Sequence, residues 1–199
     1  YYQHITFADD VMSGVLAFLR KISTQQFPFE FVDNERQQRI TQAIFKGDQL
    51  ILALQIVQNN QPTIWAGQYH KSTLQPAFGR AYEHPALITW ESVAVVKYLM
   101  SIPAPSQAVK NAINGAINWY KMNGIKNMSL KKVAHAPIRF RYNTSSYDLV
   151  SQVDPNAKII WSRFYDLQSN QPFMARRDGE KVYNLAEIKN RLRLVRLLA

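Results

Sequence analysis

Residues 65–88 are the stretch of sequence that most restricts which folds this chain can adopt. It has neither a helical nor a strand period, and two prolines interrupt it, yet helix-like segments lie on both sides. It contains two of the four histidines, together with Arg80 and Glu83. A polar, aromatic loop on a helical scaffold is a common place for a binding or catalytic site. The alternative is an ordinary long connection, which the composition alone slightly favours.

Four segments carry apolar residues at three- and four-residue spacing, the pattern of an amphipathic helix. The predicted helices cover residues 8–22, 34–58, 89–100 and 107–122. Asp9 and Asp10 stand at the start of the first, where carboxylates favour the positive end of the helix dipole. Ser106 is a good N-cap residue for the fourth. Gly47, inside the second, indicates a close contact or a break because glycine lowers helix propensity.

The remaining segments are long and mostly irregular. Residues 123–158 are basic without a clear period, and residues 159–165 alternate like a short strand. A turn is expected at residues 176–179, and residues 184–198 read as a closing basic amphipathic helix. Connections this long do not suit a plain bundle. The pattern predicts an all-α domain, a helical barrel or toroid with long loops, a few short strands and a groove at one end.

The net charge of the chain limits the classes of partner that it is expected to bind. The 199 residues carry 24 Lys and Arg against 14 Asp and Glu, a formal net charge of +10. Such a balance suits a polyanion, whether nucleic acid, an anionic membrane or an acidic polysaccharide. The chain has no cysteine, which excludes disulfides and thiolate zinc sites and fits either a cytoplasmic or an exported bacterial protein. No apolar run is long enough to cross a bilayer, so membrane insertion is not expected.

Several kinds of site are absent from the sequence. There is no glycine-rich phosphate loop, no histidine pair at helical zinc spacing and no nucleophile elbow. A hydrogen-bonding role is favoured over metal ligation for each histidine. Basic residues mixed with Tyr and Trp could bind single-stranded nucleic acid by stacking, but no nucleic-acid module is recognisable. The closing helix could lie on a membrane surface, although such a helix more often packs one face and exposes the other.

Four ordered segments resemble those of the family 10 pectate lyases. They are YQHITFADDVM at residues 2–12, WAGQYHKSTLQPAFGRAY at 65–82, ESVAVVKYLMSIPAPS at 91–106, and WSRFYDLQSNQPF followed by RDG within 161–179. The resemblance covers nearly the whole chain in order. It implies an (α/α) toroid, partly open, with a groove for polygalacturonate and a calcium-assisted β-elimination that leaves a 4,5-unsaturated end.

The resemblance also implies roles for individual residues. Arg80 matches the arginine that serves as the catalytic base, and the alternative is an ion pair with Glu83 or Glu91. Because arginine is normally always protonated, the base role requires nearby positive charge and an alkaline optimum. Asp9 matches the acidic residue for calcium or the metal-bridged substrate, with Asp10 as the alternative. The substrate-binding positions implied are Lys46, His70, Tyr82, Arg163 and Arg177. Trp65 is equally consistent with a core residue and with a platform for the substrate.

Three departures from the family pattern favour a second hypothesis, a catalytically inactive protein that binds acidic polysaccharide. Lys71 replaces a carboxylate, Trp90 replaces a small residue and Ala8 replaces asparagine. Earlier family segments would precede Tyr1, so residues 1–199 are expected to form the C-terminal two-thirds of one catalytic module, with helix faces left exposed. We expect a monomer with a polygalacturonate or pectin oligosaccharide as its partner, rather than nucleic acid. The expected location is secreted or periplasmic, in a bacterium.

Overall fold

Four helices form the scaffold of the computed structural model, which describes residues 2–139, 144–185 and 197–198. They are α1 (Val11–Ser23), α2 (Asn34–Ala53), α3 (Thr89–Met100) and α4 (Gln107–Asn123). The four predicted helices are therefore confirmed, although a separate short 3-10 helix, Ala8–Asp10, precedes α1 and α2 ends before residue 58. Among these described residues, no helix is both long and apolar enough to span a membrane.

Local sequence explains where two of the helices begin and how two of them pack. The Asp33 side chain accepts a hydrogen bond from the backbone N–H of Arg36 at the start of α2. Ser106 does the same for Val109 at the start of α4, as predicted. A Cβ at Gly47 would collide with the Leu16 side chain, so this glycine marks the predicted close contact, between α1 and α2.

The strands are short and gather into several small sheets. They are β1 (Ile5–Thr6), β2 (Val57–Gln58), β3 (Gln61–Pro62), β4 (Gln68–Tyr69), β5 (Leu87–Ile88), β6 (Met128–Arg139), β7 (Thr144–Val153), β8 (Trp161–Ser162), β9 (Phe164–Tyr165), β10 (Pro172–Ala175), β11 (Lys181–Val182) and β12 (Leu197–Leu198). The largest sheet has the antiparallel order β11-β10-β9-β5. It joins the end of the 65–88 stretch to the C-terminal part of the chain. The β1–β4 pair joins the start of the chain to the middle of the same stretch.

The predicted all-α fold is wrong, because helices and sheets occur together in the structure. Most strands have two residues, which is too short for an alternating apolar pattern to show in the sequence. The long hairpin of β6 and β7 replaces the predicted irregular segment 123–158. Its residues are exposed or half-buried on both faces, so it lacks the alternation of a half-buried strand. Near its base, Leu130 and Leu149 pack against Val182 and Leu185.

Three smaller predictions concern the C-terminal part. The predicted strand 159–165 is present as β8 and β9. The predicted turn is confirmed by hydrogen bonds from Gly179 N to Arg176 O, 2.9 Å, and from Arg176 N to Glu180 O, 2.9 Å. Most of the predicted closing helix, residues 184–198, lies outside the described residues, and near its end β12 pairs with β8 instead.

The main core lies between the helices and the 65–88 stretch. Trp65 is fully buried and donates its indole N–H to Ile51 O at 2.8 Å, so it belongs to the core rather than to a binding platform. The Tyr69 hydroxyl donates to Leu54 O at 2.6 Å and accepts from Ala66 N at 2.7 Å. Much of this stretch is therefore an internal scaffold, which places the remaining loop, residues 70–85, at its surface.

Candidate active site

Asp9 and Asp10 form a strained corner at the start of α1. Both have left-handed backbone angles, with φ of 57° and 59°, which non-glycine residues rarely adopt. The corner is anchored because Phe7 N and Ala8 N both donate to Gly67 O, at 2.8 and 3.0 Å. Asp10 is the N-cap residue of α1. The two exposed carboxylates lie at the positive end of the α1 dipole, as expected from the sequence, and Asp10 makes no capping hydrogen bond.

Arg80 lies in a tight turn with Glu83. Glu83 N donates to Arg80 O at 2.8 Å, and Arg80 N donates to Glu83 Oε2 at 2.8 Å. The guanidinium donates from Nε to Glu83 Oε1 at 2.9 Å and forms an ion pair with the same oxygen. It also lies over the Tyr82 ring, 4.9 Å from the ring centre. Glu83, not Glu91, is thus the partner of Arg80.

This pairing keeps Arg80 cationic. The hydrogen bond to Glu83 raises the pKa of the Arg80 guanidinium above its ordinary value, with further support from the charges of Glu83 and Asp9, although burial opposes the rise. Burial of Glu83 works against its ionisation, but the hydrogen bonds from Arg80 outweigh it and hold the pKa of this carboxyl below its usual value. The positive charge of Arg163 acts in the same direction. Arg80, Glu83, Arg163 and Asp9 therefore form one electrostatic group.

Gly79 leaves room for the Glu83 carboxylate. A Cβ at this position would collide with Glu83 Oε2 and with the amide of Gln68. Gln68 is buried, and its Oε1 lies 3.2 Å from His4 Nδ1. Gly79 thus allows two polar side chains to approach the turn that carries Arg80. Neither Glu83 nor Gln68 was predicted to have a site role from the sequence, although both fall inside the lyase-like segment 65–82 or next to it.

Arg163 forms a second arginine–glutamate pair, which is buried. Its guanidinium donates to Glu91 Oε1 at 2.6 Å, and the side chains are 12% and 1% exposed. Arg163 O accepts from Thr89 N at 3.1 Å, which fixes the start of α3 beside β9. Glu91 Oε2 and Arg163 Nε are buried without a hydrogen-bond partner among the described residues. A small cavity lined by Glu83, His84 and Arg163 lies between the two pairs.

Arg177 lies in the turn between β10 and β11. Arg176 pairs with Asp178 and Glu180, whereas the exposed Arg177 has no ion pair within the described part of the chain. His84 Nε2 lies 2.8 Å from Gly179 O, and Gly179 has φ of +94°, a conformation that glycine adopts readily. Burial lowers the pKa of His84, so the neutral ring donates this hydrogen bond. His84 thereby fastens the Arg177 turn to the Arg80 loop.

His70 and Lys46 are less closely associated with this group. His70 is exposed, and its Nδ1 accepts from Ser72 N and Thr73 N at 3.3 and 3.4 Å, so it stabilises its own turn. Its ring centre lies 5.9 Å from that of His4. Lys46 is exposed on α2. Within the described ranges, neither residue has a hydrogen bond or ion pair to Arg80 or Arg163.

A groove of about 620 Å³ between α1 and α3 begins at Asp10. Arg20, Lys21 and Lys97 are the cations in its lining, but Arg20 is paired with Asp48 and most of the lining is apolar. Arg20 is held by a hydrogen bond from its Nε to the Tyr98 hydroxyl, 2.9 Å. The volume lies within the range of small-molecule sites, roughly 300–1,000 Å³. Lys21 and Lys97 are the two lining cations that could meet an anionic chain continuing from the Asp9–Asp10 corner.

The described residues supply only part of a calcium site. No group of three or more His, Asp or Glu side chains within residues 2–139, 144–185 and 197–198 could hold a metal ion. Calcium takes about six to eight oxygen ligands, so Asp9 and Asp10 would need substrate oxygens and water to complete the set. Their exposure, and the lack of a capping hydrogen bond at Asp10, fit an ion that is shared with a carboxylate ligand.

Residues 1–194 match the family model of pectic acid lyases. The chain belongs to this family. The pectic acid lyase segments include the Asp9–Asp10 corner, the Arg80 loop and the Arg163 strand. A comparison with curated proteins found no match.

Solved structures support the same relationship. A mutant of the family 10 polysaccharide lyase from Cellvibrio cellulosa, in complex with trigalacturonic acid, superposes with a TM-score of 0.78 and 27% identity over 95% of this chain and 56% of that chain. A second structure, of the family 10 polysaccharide lyase from Cellvibrio cellulosa, gives 0.74 and 28% over 94% of this chain and 55% of that chain. The present chain spans a little over half the length of these similar structures.

Proposed function

We propose that this pectic acid lyase chain carries catalytic residues for β-elimination of polygalacturonate. The observation that carries the proposal is the electrostatic group of Asp9, Arg80, Glu83 and Arg163 within a matched lyase family. A similar structure contains trigalacturonic acid, which supports an oligogalacturonide as the substrate. The groove that begins at Asp10 has Lys21 and Lys97 in its lining, which would attract an anionic chain.

Each residue has a distinct role in this proposal. Arg80 in its neutral form removes the C5 proton, the C5–H electron pair forms the C4=C5 double bond, and the C4–O4 bond breaks. The departing O4 takes a proton from solvent, and Arg80 then returns its proton to solvent. Asp9, with Asp10 as the alternative, would hold calcium, which supplies charge withdrawal from the uronate carboxylate and acidifies C5–H.

Cationic side chains around this centre hold the substrate. Arg163 and Arg177 are proposed to bind uronate carboxylates, since a guanidinium fork suits that group. Tyr82 lies under the Arg80 guanidinium and would border the reacting sugar. His70 and Lys46 are proposed to bind substrate groups farther from this centre; neither of them lines the groove between α1 and α3. Glu83 and Asp9 favour the cationic form of Arg80, so the base role requires a compensating positive charge nearby, which the calcium ion held by Asp9 would supply, together with alkaline conditions.

The test is incubation with polygalacturonate at alkaline pH, with calcium or with a chelator, while ultraviolet absorbance of the unsaturated product is followed. We expect a calcium-dependent rise in wild type and none in Arg80→Ala, with pectate binding retained. Arg36→Ala is the matched control, because Arg36 also pairs with an acid three residues away but lies on an exposed helix end. Absence of any product in wild type would overturn the lyase proposal.

The second hypothesis, an inactive polysaccharide-binding protein, makes a different prediction. Lys71 and Trp90 are exposed and Ala8 is buried in the structure, and Glu83 holds Arg80 as a cation. Affinity electrophoresis would then show retention in a pectate gel without product at any pH. Tighter, steeply salt-dependent retention on single-stranded DNA would instead indicate nucleic-acid binding.

A further inference from the structure

Glu83 is the buried acid that contacts Arg80 through both of its oxygens. Oε2 accepts from the Arg80 backbone N–H at 2.8 Å, and Oε1 accepts from Arg80 Nε at 2.9 Å. The Glu83 side chain is 10% exposed, whereas that of Arg80 is 47% exposed. The acid therefore lies beneath the guanidinium and leaves its outer side open to solvent. An acid placed only to solubilise the loop would instead point outward.

The surroundings of Glu83 are arranged to admit its carboxylate. Gly79 has no side chain where a Cβ would meet Glu83 Oε2. Gly79 N donates to Glu83 O at 3.0 Å, which closes the turn from the other side. Glu83 also borders the small cavity that contains Arg163. The carboxylate thus lies between the two arginines that the proposed mechanism uses.

We propose that Glu83 is a positioning residue that fixes the Arg80 guanidinium for proton abstraction and sets the alkaline pH at which it acts. This inference rests on the proposed function for its catalytic part. Two nitrogens of the guanidinium, Nε and one terminal nitrogen, are directed toward Glu83. The Arg80 side chain is 47% exposed, so part of the guanidinium stays open to solvent. The same contact favours the protonated form of Arg80. Glu83 therefore positions the guanidinium but leaves less of the neutral base at neutral pH.

Within the described part of the chain, charged and polar groups act on Arg80 from its own loop and from the start of α1. Glu83 and Tyr82 contact it from its own loop, and Asp9 acts on it from the corner before α1. Arg163 acts on Glu83 from β8–β9. Of these, Glu83 has the largest effect and raises the pKa of Arg80. Removal of its charge should therefore make Arg80 easier to deprotonate.

Two substitutions separate position from charge. Glu83→Gln keeps an oxygen acceptor for Arg80 but removes the charge, so the rise of kcat with pH should begin about one unit lower than in wild type. Glu83→Ala removes both the anchor and the charge, so the maximal kcat should fall about 10- to 100-fold and the rise with pH should begin lower, as in Glu83→Gln. KM should change little in both, since Glu83 does not hold the substrate. A merely structural role would lower stability without a shift in the pH profile. Glu30→Gln, on an exposed loop, is the control.

A second readout does not depend on turnover. The Arg80 Nε–H signal in a ¹H–¹⁵N spectrum should be protected from exchange in wild type and in Glu30→Gln, and should broaden or disappear in Glu83→Ala. An unprotected signal in wild type would overturn the positioning role directly. If wild type turns over but Glu83→Gln keeps its pH profile, the charge role is overturned while the proposed function stands. If wild type forms no product, the proposed function and the catalytic role of Glu83 fail, and the spectrum still decides whether Glu83 fixes Arg80.

Discussion

The Arg80–Glu83 and Arg163–Glu91 pairs differ in span and in burial. Arg80 and Glu83 are three residues apart in one turn, and the arginine is 47% exposed. Arg163 and Glu91 are 72 residues apart, with side chains 12% and 1% exposed. The local pair can change its geometry without disturbing the core, whereas the buried pair joins α3 to β9. We infer that the first pair serves chemistry, and that the second holds the site together while it presents Arg163.

The largest expected effect on stability follows loss of the buried acid. Glu91→Ala leaves the Arg163 guanidinium buried without its partner and should lower the free energy of unfolding by about 3–5 kcal/mol. Denaturant unfolding measures this change. Glu30→Ala, an exposed control, should stay within about 0.5 kcal/mol of wild type. Equal losses in the two variants would remove the distinction between the buried pair and an ordinary surface acid.

The next effect should separate turnover from stability. Gly79→Ala pushes the Glu83 and Gln68 side chains away, and because both ends are flexible the fold should persist. Turnover should fall about 10- to 100-fold because Arg80 loses its anchor. Gly115→Ala is the contrast, since its Cβ would collide with the Pro62 backbone in a region away from the site.

Gly115→Ala should therefore lower the unfolding midpoint and leave turnover per folded molecule unchanged. Activity divided by the folded fraction gives the comparison. Normal turnover in Gly79→Ala would show that the position of Glu83 does not control Arg80.

A pH effect on stability is expected to be smaller. The pKa of Glu83 is held below its usual value in the folded protein, so its ionised form stabilises the fold above the unfolded-state pKa. That contribution is lost as the pH falls through the lowered folded-state pKa. Glu83→Gln should therefore flatten the acid side of the stability curve, measured by thermal unfolding from neutral to acid pH. An unchanged slope would mean that the Arg80–Glu83 pair adds nothing to stability.

The smallest effect is expected at Lys71, which departs from the family pattern. It is exposed and its ammonium donates to Gln3 Oε1. Lys71→Asp restores the family carboxylate and should alter the free energy of unfolding by less than about 0.5 kcal/mol. Calorimetric titration with calcium would show whether the added carboxylate strengthens binding. A gain in turnover far above wild type would identify Lys71 as the residue that limits activity.

The helices could be predicted from sequence because their apolar spacing and caps are local. Ser106 caps α4 as expected, and Gly47 marks the contact of α1 with α2. The sheets could not be predicted in this way. Strands of two residues, such as β5, have no period, and their pairing with β9 depends on residues more than 70 positions away.

The site residues show the same difference between what local sequence predicts and what only the fold decides. Motif resemblance assigned Arg80, Arg163 and Arg177 to one region, and His84 does fasten the Arg177 turn to the Arg80 loop. The choice between Glu83 and Glu91 as the partner of Arg80 stayed open in the sequence. It requires the fold, because Glu91 meets Arg163 only when α3 packs beside β9. The roles of all the predicted site residues, and of calcium at Asp9 or Asp10, remain predictions; the residues are Arg80, Arg163, Arg177, Lys46, His70 and Tyr82.

The most direct test compares Arg80→Ala with Arg163→Ala in the same two assays, denaturant unfolding and product formation per folded molecule. Arg80→Ala should fold with turnover lowered by about 10²–10⁴-fold, as expected for removal of a catalytic base. Arg163→Ala should lose much more of the free energy of unfolding, since it leaves Glu91 buried and unpaired. If Arg80→Ala retains turnover, or if Arg163→Ala is no less stable than Arg80→Ala, the division into a chemical pair and a structural pair is contradicted.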